Sequence, residues 1–410
     1  MAEKPQITLA TFKKDAYIIF EGPQPANRFF IIREGQVRCI NETGVVKKEG
    51  DILVPGDFFG VIATISAHSH IETAQALTDV VLISVQRNQF EGLVQYNTPI
   101  AMKIILYFSQ HMRYLNETLA KLSLKQIPKE EGEDGLVLFN TGEFYDNHRS
   151  YTQAYYAYHQ YNTYYPQGSY VQKAKDRMEE ITSYIKPDAF AFNQTEVTRT
   201  YTKDTILFAE GEPGDELFIL QSGSVKITRI TNGNEVLLAV LKPTNIFGEM
   251  ALLESKPRSA NAIAYEDCTV MTVNLKNFQH MAQTNPQIIT RLTKLLAERL
   301  WVSYKQVANT CIADPVGRMY DALLTNLEKN RVPMQPNSSY TFDFGPKELA
   351  AMVGISPEKT SAVLQRLLNE STFIKVVDNK MYTSNVVDIV KQNTLYKRLH
   401  RRNQSINAHN

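Results

Sequence analysis

The chain has few cysteines, no long apolar run and almost no net charge. Cys39, Cys268 and Cys311 are the three cysteines among 410 residues, and they follow no metal-binding spacing. Such a sparse and odd set fits a reducing compartment better than a disulfide framework. No stretch reaches the length that spans a bilayer, and the sequence opens on polar residues without an apolar signal segment. We therefore expect a cytoplasmic protein without membrane spans.

The charged side chains nearly cancel, with 44 Lys and Arg against 43 Asp and Glu and a net charge of +1. This balance excludes a uniformly basic nucleic-acid binder but allows a local basic face. An apolar fraction of 43% with 21% charged residues is typical of globular domains. No Walker loop, nucleophile elbow, zinc spacing or kinase signature occurs, so the sequence does not predict an enzyme.

One part of the sequence repeats at a fixed offset. Residues 17–40 resemble residues 205–227 without a gap, and Gly60 and Gly248 are separated by the same 188 positions as three further pairs. The further pairs are Phe20 with Phe208, Phe30 with Phe218, and Gly35 with Gly223. Alternating apolar residues between Gly, Pro, Asn and Asp predict short antiparallel strands in both copies. We predict two β-rolls, each followed by a helix, at about 99–122 and 286–309.

Residues 247–259 of the second copy combine residue types that suit the binding of a phosphate and a sugar. The stretch reads Phe-Gly-Glu-Met-Ala-Leu-Leu from Phe247 and continues to Arg258 and Ser259. A glycine before a short helix presents backbone N–H groups to an anion, a glutamate accepts from a sugar hydroxyl, and an arginine pairs with a phosphate. The stretch closely resembles the phosphate-binding cassette of cyclic-nucleotide-binding domains, which occur in catabolite-activator-type regulators, protein kinase A regulatory subunits and gated channels.

This resemblance implies a ligand and a role for each residue. Glu249 would hold the ribose and Arg258 the cyclic phosphate. The other members of the cradle would be Gly248, Met250, Ala251 and Ser259. Cyclic AMP is the first choice of ligand, and cyclic GMP remains open.

The helix after the second β-roll resembles the central helix of the catabolite activator, in which two adjacent hydroxyl residues touch the adenine. Ser303 takes the first of these positions. Tyr304 takes the second, where the family has a small hydroxyl residue. Tyr304 would either stack on the base or lie at a dimer seam. An apolar stripe along residues 286–309 predicts a homodimer through this helix.

The first copy lacks the two principal side chains of the cassette. Val61 stands at the position of Glu249, and His70 stands at the position of Arg258. A neutral histidine is a poor substitute for a bidentate guanidinium. We interpret the copy as a degenerate domain kept for packing or dimerisation. The alternative is a site for another ligand, with His68 and His70 as donors or metal ligands.

The C-terminal part of the chain predicts a helix at 315–329, two further helices at 344–353 and 357–368, and a hairpin at 373–383. The two further helices are separated by a short turn containing Gly354. Two helices joined in this way are the DNA-reading motif, and the hairpin would form its wing.

This order resembles the winged helix-turn-helix of the catabolite-activator and fumarate-nitrate-regulator superfamily over residues 314–390. The residues that would face DNA are Lys347, Ser356, Pro357, Glu358, Lys359, Ser361, Ala362, Gln365 and Lys380. Pro357 and Ala362 replace arginines that are common in the family, which reduces the expected readout of bases. The basic residues at 397–402 would contact phosphates or form a solvated terminus.

Residues 136–184 match neither copy. Their small and large residues follow the spacing of a tetratricopeptide helical hairpin at Gly142, Tyr145, Ala154, Tyr158 and Pro166. The tyrosine-rich segment would bind a protein partner, or it would pack against a β-roll or another subunit.

These patterns predict an α+β multidomain protein. The predicted domains are a degenerate β-roll at 1–124, a linker and helical hairpin at 125–190, a cyclic-nucleotide-binding β-roll at 191–310, and a winged helix-turn-helix with a basic tail at 311–410. The predicted function is a DNA-binding regulator controlled by a cyclic nucleotide. The alternative is a nucleotide-sensing adaptor that binds proteins rather than DNA. A kinase regulatory subunit is disfavoured because no inhibitor segment is evident and the winged domain argues against it.

Overall fold

A computed structural model describes most of the chain. The described ranges are residues 8–22, 25–41, 52–123, 135–185, 196–231, 233–274, 276–278, 284–355 and 357–407. Contacts between backbone positions divide the chain into two compact units. Residues 1–93, 114–127 and 293–410 form the first unit, and residues 94–113 and 128–292 form the second. No helix in the described ranges has the length and apolar character needed to cross a membrane.

The first β-roll has two antiparallel sheets of four strands. Its strands are β1 Thr8–Phe12, β2 Tyr17–Ile19, β3 Arg28–Glu34, β4 Val37–Ile40, β5 Ile52–Leu53, β6 Phe58–Phe59, β7 Thr73–Ala76 and β8 Val80–Gln86. The sheet orders are β1-β8-β3-β6 and β2-β7-β4-β5. Helix α1 (Val61–Ser66) lies between β6 and β7, and α2 (Phe90–Tyr96) and α3 (Thr98–Ser123) follow β8.

The second β-roll repeats this arrangement. Its strands are β9 Thr198–Tyr201, β10 Ile206–Phe208, β11 Glu216–Ser222, β12 Val225–Thr231, β13 Asn234–Leu241, β14 Ile246–Phe247, β15 Asn261–Ala264 and β16 Cys268–Asn274. The sheet orders, β9-β16-β11-β14 and β10-β15-β12-β13, are those of the first copy. Phe30 lies opposite Phe59, and Phe218 lies opposite Phe247, so even the register is repeated. The predicted pair of β-rolls is confirmed.

A glycine is required at the same point of both rolls. Gly35 and Gly223 have positive φ angles of 86° and 75°. A Cβ atom would lie 2.4 Å from the carbonyl oxygen of Asp79 in one copy and 2.1 Å from that of Asp267 in the other. Neither position leaves room for a side chain, which explains why this glycine survives in both copies.

Three helices between the copies pack against the second β-roll. They are α4 (Leu136–Asn147), α5 (Tyr151–Tyr164) and α6 (Val171–Ile181). Their buried residues share one apolar cluster with Ile206 and Ile263 of the roll. A Cβ at Gly142 would lie 2.6 Å from the ring of Tyr158, which explains the pairing of a small and a large residue seen in the sequence. The packing use is therefore observed, and the tetratricopeptide assignment stays a prediction.

The C-terminal segment continues from α8 (Pro286–Thr310). Its elements are α9 Pro315–Lys329, β17 Tyr340–Thr341, α10 Pro346–Met352, α11 Pro357–Glu370, β18 Ile374–Val377, β19 Lys380–Thr383 and α12 Val386–Asn407. The three strands form a sheet in the order β17-β19-β18. Asp378 and Asn379 both have positive φ, which a two-residue hairpin turn requires. One buried core joins α9, α10 and α11 to the sheet and to α12.

The apolar stripe of α8 is already covered within one chain. Its fully buried members are Ile289, Leu292, Leu296, Leu300 and Val307. These five side chains have no exposed surface in the described part of the chain. A homodimer through residues 286–309 stays a prediction.

Candidate functional site

The cassette of the second β-roll begins at a glycine with left-handed backbone geometry. Gly248 has φ 75° and caps the start of α7 (Glu249–Glu254). A Cβ at this position would lie 2.8 Å from Nη1 of Arg258. Glycine is thus needed both for the turn from β14 into the helix and for the close approach of the guanidinium.

Arg258 is held as a buried cation above this turn. Its side chain is 6% exposed, and Nη1 donates to the carbonyl oxygens of Glu216 at 2.8 Å and Gly248 at 2.7 Å. The guanidinium carbon lies 4.3 Å from the ring centre of Phe208. Burial lowers the pKa of Arg258, and the negative charge of Glu212 opposes this effect. Nε is buried without a hydrogen-bond partner among the described residues, so one donor is left for an anion.

The structure brings the other predicted cradle residues to the same place. Glu249, Met250 and Ala251 form the first turn of α7 and are all buried. The hydroxyl of Ser259 lies 3.7 Å from the sulfur of Met250. The six residues that were predicted to form the cradle therefore lie together around the start of α7, where Arg258 contacts Gly248 and Ser259 contacts Met250.

The loop before β11 is attached to the backbone of Arg258. The N–H of Gly211 donates to the carbonyl of Arg258 at 2.9 Å, and the N–H of Arg258 donates to the carbonyl of Glu212 at 2.8 Å. Burial raises the pKa of Glu212 to about 7. Sequence reasoning missed Glu212. Comparison of the two copies offers a signal for it, because Gln24 stands at this position in the first copy.

The far end of α7 is attached to α3. Glu254 accepts from the hydroxyl of Ser109 at 2.7 Å and from Nε of Arg113 at 2.9 Å. The side chain of Glu254 is 1% exposed. The guanidinium of Arg113 also donates to the carbonyl of Pro257 at 3.3 Å. The helix that follows the first β-roll therefore supports the cassette of the second, a contact that no local sequence pattern predicts.

Ser303 and Tyr304 lie in the first unit, whereas the cassette lies in the second. Tyr304 is 6% exposed. Burial, together with the nearby Glu72 and Cys39, raises its pKa well above the usual range. Tyr304 is thus buried within the first unit, and a contact of Ser303 and Tyr304 with the base, or a place of Tyr304 at a dimer seam, stays a prediction. No local pattern in the sequence indicated that Tyr304 is buried in this unit.

The cassette of the first copy has the same backbone but is filled by its own side chains. Gly60 has φ 72° and caps α1, as Gly248 caps α7. The ring of His70 lies 3.3 Å from a Cβ built at Gly60, which is the place that Arg258 takes in the second copy. Glu72 accepts from the N–H of Gly60 at 2.8 Å. The carboxylate of Glu72 therefore accepts from a backbone N–H that the cassette would otherwise offer to a ligand.

His68 is also engaged by side chains of the same unit. Its ring stacks on Trp301 with 4.1 Å between ring centres, and its Nε2 lies 2.7 Å from a carboxylate oxygen of Glu298. Arg331 donates to the other oxygen of Glu298 at 2.9 Å. Among the described residues, no group of three or more potential metal ligands occurs. These contacts hold His68 within the packing of the first unit.

The predicted DNA-facing residues that the structure describes are exposed. They are Lys347, Glu358, Lys359, Ser361, Ala362, Gln365 and Lys380. Ser356 lies outside the described residues, and for Pro357 only the backbone is described. Sequence reasoning missed the pairing of Arg366 on α11, which donates to Asp314 at 2.8 Å and to Glu370 at 2.6 Å. In the basic tail, Lys397 pairs with Asp321 at 3.1 Å.

The cyclic nucleotide-binding domain family matches residues 9–97 and residues 198–285, one match for each β-roll.

Several curated proteins are similar to the chain over about two fifths of its length. The "CRP-like cAMP-activated global transcriptional regulator" of Mycobacterium tuberculosis is 31% identical over 159 residues, which are 38% of this chain and 71% of that protein. The "cAMP-activated global transcriptional regulator CRP" of Salmonella typhimurium is 30% identical over 173 residues, 42% of this chain and 82% of that protein. The "Cyclic AMP receptor protein" of Thermus thermophilus is 32% identical over 173 residues, 42% of this chain and 77% of that protein.

Proposed function

The chain belongs to the catabolite-activator/fumarate-nitrate-regulator (CRP/FNR) superfamily, and from this premise we propose that it is a cytoplasmic, DNA-binding transcriptional regulator controlled by a cyclic nucleotide. The ligand is a cyclic nucleotide, with cyclic AMP as the first choice because the similar regulators are named for it. The protein acts by binding and not by catalysis.

The observation that carries this proposal is the buried guanidinium of Arg258. A cation that is 6% exposed and keeps an unpartnered donor is costly unless an anion completes its hydrogen bonds. The cyclic phosphate of the ligand would supply that anion, and Glu249 would accept from the ribose. The cradle comprises Gly248, Glu249, Met250, Ala251, Arg258 and Ser259.

One nucleotide binds per chain under this proposal. In the first copy, Val61 cannot accept from a sugar hydroxyl, and Glu72 already takes the N–H of Gly60. A carboxylate at this position also repels a phosphate. The first β-roll therefore serves as a packing partner for α8 and for the C-terminal segment that follows it.

Residues 311–410 act as a winged helix-turn-helix in this proposal. The exposed face of α11 would enter the major groove, with Glu358 accepting from cytosine and Gln365 pairing with adenine. Lys347 and Lys380 would contact the phosphates. Ligand binding at the cassette would change the affinity for DNA by favouring one arrangement of this segment.

Calorimetric titration of cyclic AMP and cyclic GMP into the full chain tests the ligand. We expect saturable binding with one site per chain, and loss of binding in Arg258→Ala. Arg258→Lys keeps the charge but not the fork of donors, so it should bind weakly. His70→Ala, at the matching position of the first copy, is the control and should bind as the wild type does. Absence of binding by the wild type would contradict the proposal.

Selection from random duplexes with and without the nucleotide tests the DNA part. The second candidate, a nucleotide-sensing adaptor, is favoured by one observation: Pro357 and Ala362 replace family arginines, and Arg366 is engaged by carboxylates. Nucleotide binding without any enriched duplex would support the adaptor. Enrichment of a duplex that depends on the nucleotide would support the regulator.

A further inference from the structure

Helix α5 and Arg258 of the cassette line the same cavity. A cavity of about 240 Å³ in the second unit is bounded on one side by Arg258 and on the other by Tyr156, Gln160 and Tyr164 of α5. The remaining lining comes from β9, β10, the loop that contains Glu212, and β11. The helical segment between the two copies is therefore in contact with the surroundings of the proposed phosphate-binding residue.

Glu212 is the residue that α5 holds. Its carboxylate accepts from the hydroxyl of Tyr156 at 3.0 Å, from Nε2 of Gln160 at 3.0 Å and from the N–H of Ala209 at 3.0 Å. Glu212 is 7% exposed, and Tyr156 is also 7% exposed. Three donors in a buried position fix the orientation of this carboxylate, and two of them come from the helical segment.

Glu212 in turn is tied to Arg258. The carbonyl of Glu212 accepts from the N–H of Arg258 at 2.8 Å. The charges of the two side chains attract one another, because each favours the ionised form of the other. A Cβ at Gly214 would lie 2.3 Å from Nε of Arg258, so the loop after Glu212 fits closely around the guanidinium. A change at Glu212 is thus transmitted to Arg258 both by the backbone and by charge.

We propose that the helical segment 136–184 is a working part of the nucleotide site, in which Tyr156 and Gln160 are positioning residues that hold Glu212, and Glu212 holds Arg258 ready for the cyclic phosphate. This inference rests on the proposed function. It gives the segment a role in affinity for the ligand, beyond covering the apolar face of the second β-roll.

The ionisation of Glu212 gives this network a distinctive readout. Arg258 lowers the pKa of Glu212 and thereby opposes the effect of burial, which raises it. A phosphate on Arg258 would cancel that influence, so the pKa of Glu212 would rise on binding and a proton would be taken up. Affinity should then fall by about twofold to fivefold between about pH 6 and about pH 8.

Other charged or titratable groups surround the carboxylate and need a control. They are Tyr156 and Tyr164 of α5, Asp215 of the loop, Glu216 at the start of β11, and Arg199 and Tyr201 of β9. Arg199 is paired with Glu216 through two hydrogen bonds of 2.8 Å. Glu212→Gln removes the titration of Glu212 and leaves these groups in place, so only the part of the pH dependence that this variant abolishes belongs to Glu212.

The experiment is calorimetric titration of cyclic AMP into the full chain, with Tyr156→Phe and the double variant Tyr156→Phe/Gln160→Leu. Tyr158→Phe is the matched control, since Tyr158 is also buried in α5 but its hydroxyl donates to Asp146 at 3.3 Å. We expect Tyr156→Phe to weaken binding by about fivefold to tenfold and the double variant to weaken it further. Tyr158→Phe should remain within about twofold of the wild type.

The same variants are titrated across the pH range. Loss of the tyrosine hydroxyl removes a donor that lowers the pKa of Glu212, so the inflection should move to higher pH in Tyr156→Phe and not in Tyr158→Phe. Equal affinities and equal pH profiles for the two phenylalanine variants would overturn the inference while leaving the proposed function in place. Failure of the wild type itself to bind either nucleotide would overturn both.

Discussion

The carboxylate of Glu72 accepts a hydrogen bond of 2.8 Å from the backbone N–H of Gly60, the residue that corresponds to Gly248 of the second cassette. The two copies share their strand order, their register and the left-handed glycine that begins the cassette helix. They differ in the side chains around that glycine. In the first copy the glycine N–H donates to the carboxylate of Glu72. In the second copy the buried Arg258 keeps an Nε donor without a hydrogen-bond partner.

The bond between Glu72 and Gly60 should stabilise the first β-roll. We expect Glu72→Ala to lower the free energy of unfolding by about 1 kcal/mol, because the N–H of Gly60 loses its acceptor. Glu72→Gln keeps an acceptor oxygen and should lose less. Chemical denaturation of both variants measures the difference. A Glu72→Ala protein that unfolds at the denaturant concentration of the wild type would show that the bond contributes nothing.

The ion pair between Arg113 and Glu254 should stabilise the second unit far more than an exposed pair does. Its side chains are 15% and 1% exposed and join α3 to the end of α7. Arg113→Ala would leave a buried carboxylate without its main cation, and we expect a loss of about 3 kcal/mol in the free energy of unfolding. Lys13→Ala breaks the exposed pair with Asp79 and is the control, with no measurable effect expected. Similar losses in the two variants would refute the distinction.

Glu212 should make the second unit less stable as the pH rises. Its pKa is about 7 in the folded protein against an ordinary value of 4.5. Between these values the folded protein keeps a proton that the unfolded chain has released. The contribution of this group is therefore fully present below about pH 4.5 and is lost as the pH passes through about 7. Glu212→Gln should abolish this component.

The measurement is the free energy of unfolding of wild type and Glu212→Gln at about pH 5 and about pH 7.5. Carboxylates that are paired in the folded state raise the free energy of unfolding as the pH rises. This contribution is the same in both proteins, so it cancels in the difference between their free energies of unfolding. A wild type that gains stability relative to Glu212→Gln as the pH rises would contradict the assignment.

Much of the architecture could be predicted from the sequence because its signals are local or repeated. The fixed offset between Gly60 and Gly248 predicts two equal folds, and the structure reproduces even the pairing of Phe218 with Phe247. Helix limits follow from proline and apolar spacing, as at Pro286 and Pro315, where α8 and α9 begin. The turn at 378–379 follows from residues that tolerate positive φ.

The remaining features depend on contacts between distant parts of the chain. Tyr304 was expected to stack on a base or to lie at a dimer seam, and no local pattern indicates that it is buried in the first unit. Glu212 and Tyr156 are far apart in sequence, and neither belongs to a motif that names the other. Arg366 and Asp314 are 52 residues apart, and their pairing follows from the packing of α11 beside the start of α9. Local patterns determine elements, whereas these contacts arise from how the elements pack.

The exposed lysines of the C-terminal segment should set affinity for DNA without setting the sequence that is read. Lys347→Ala and Lys380→Ala each remove one proposed phosphate contact, so each should reduce the slope of log K against log salt by about 1 for all duplexes alike. Glu358→Ala should instead change the preference at one base pair by about 1 to 3 kcal/mol.

Fluorescence anisotropy with the selected duplex and its single-base variants, over a range of salt concentrations, separates the two effects. Lys13→Ala, in the first β-roll, is the control for a change of one charge and should alter neither quantity. Salt slopes that stay at the wild-type value in both lysine variants would show that the segment does not lie on DNA as proposed.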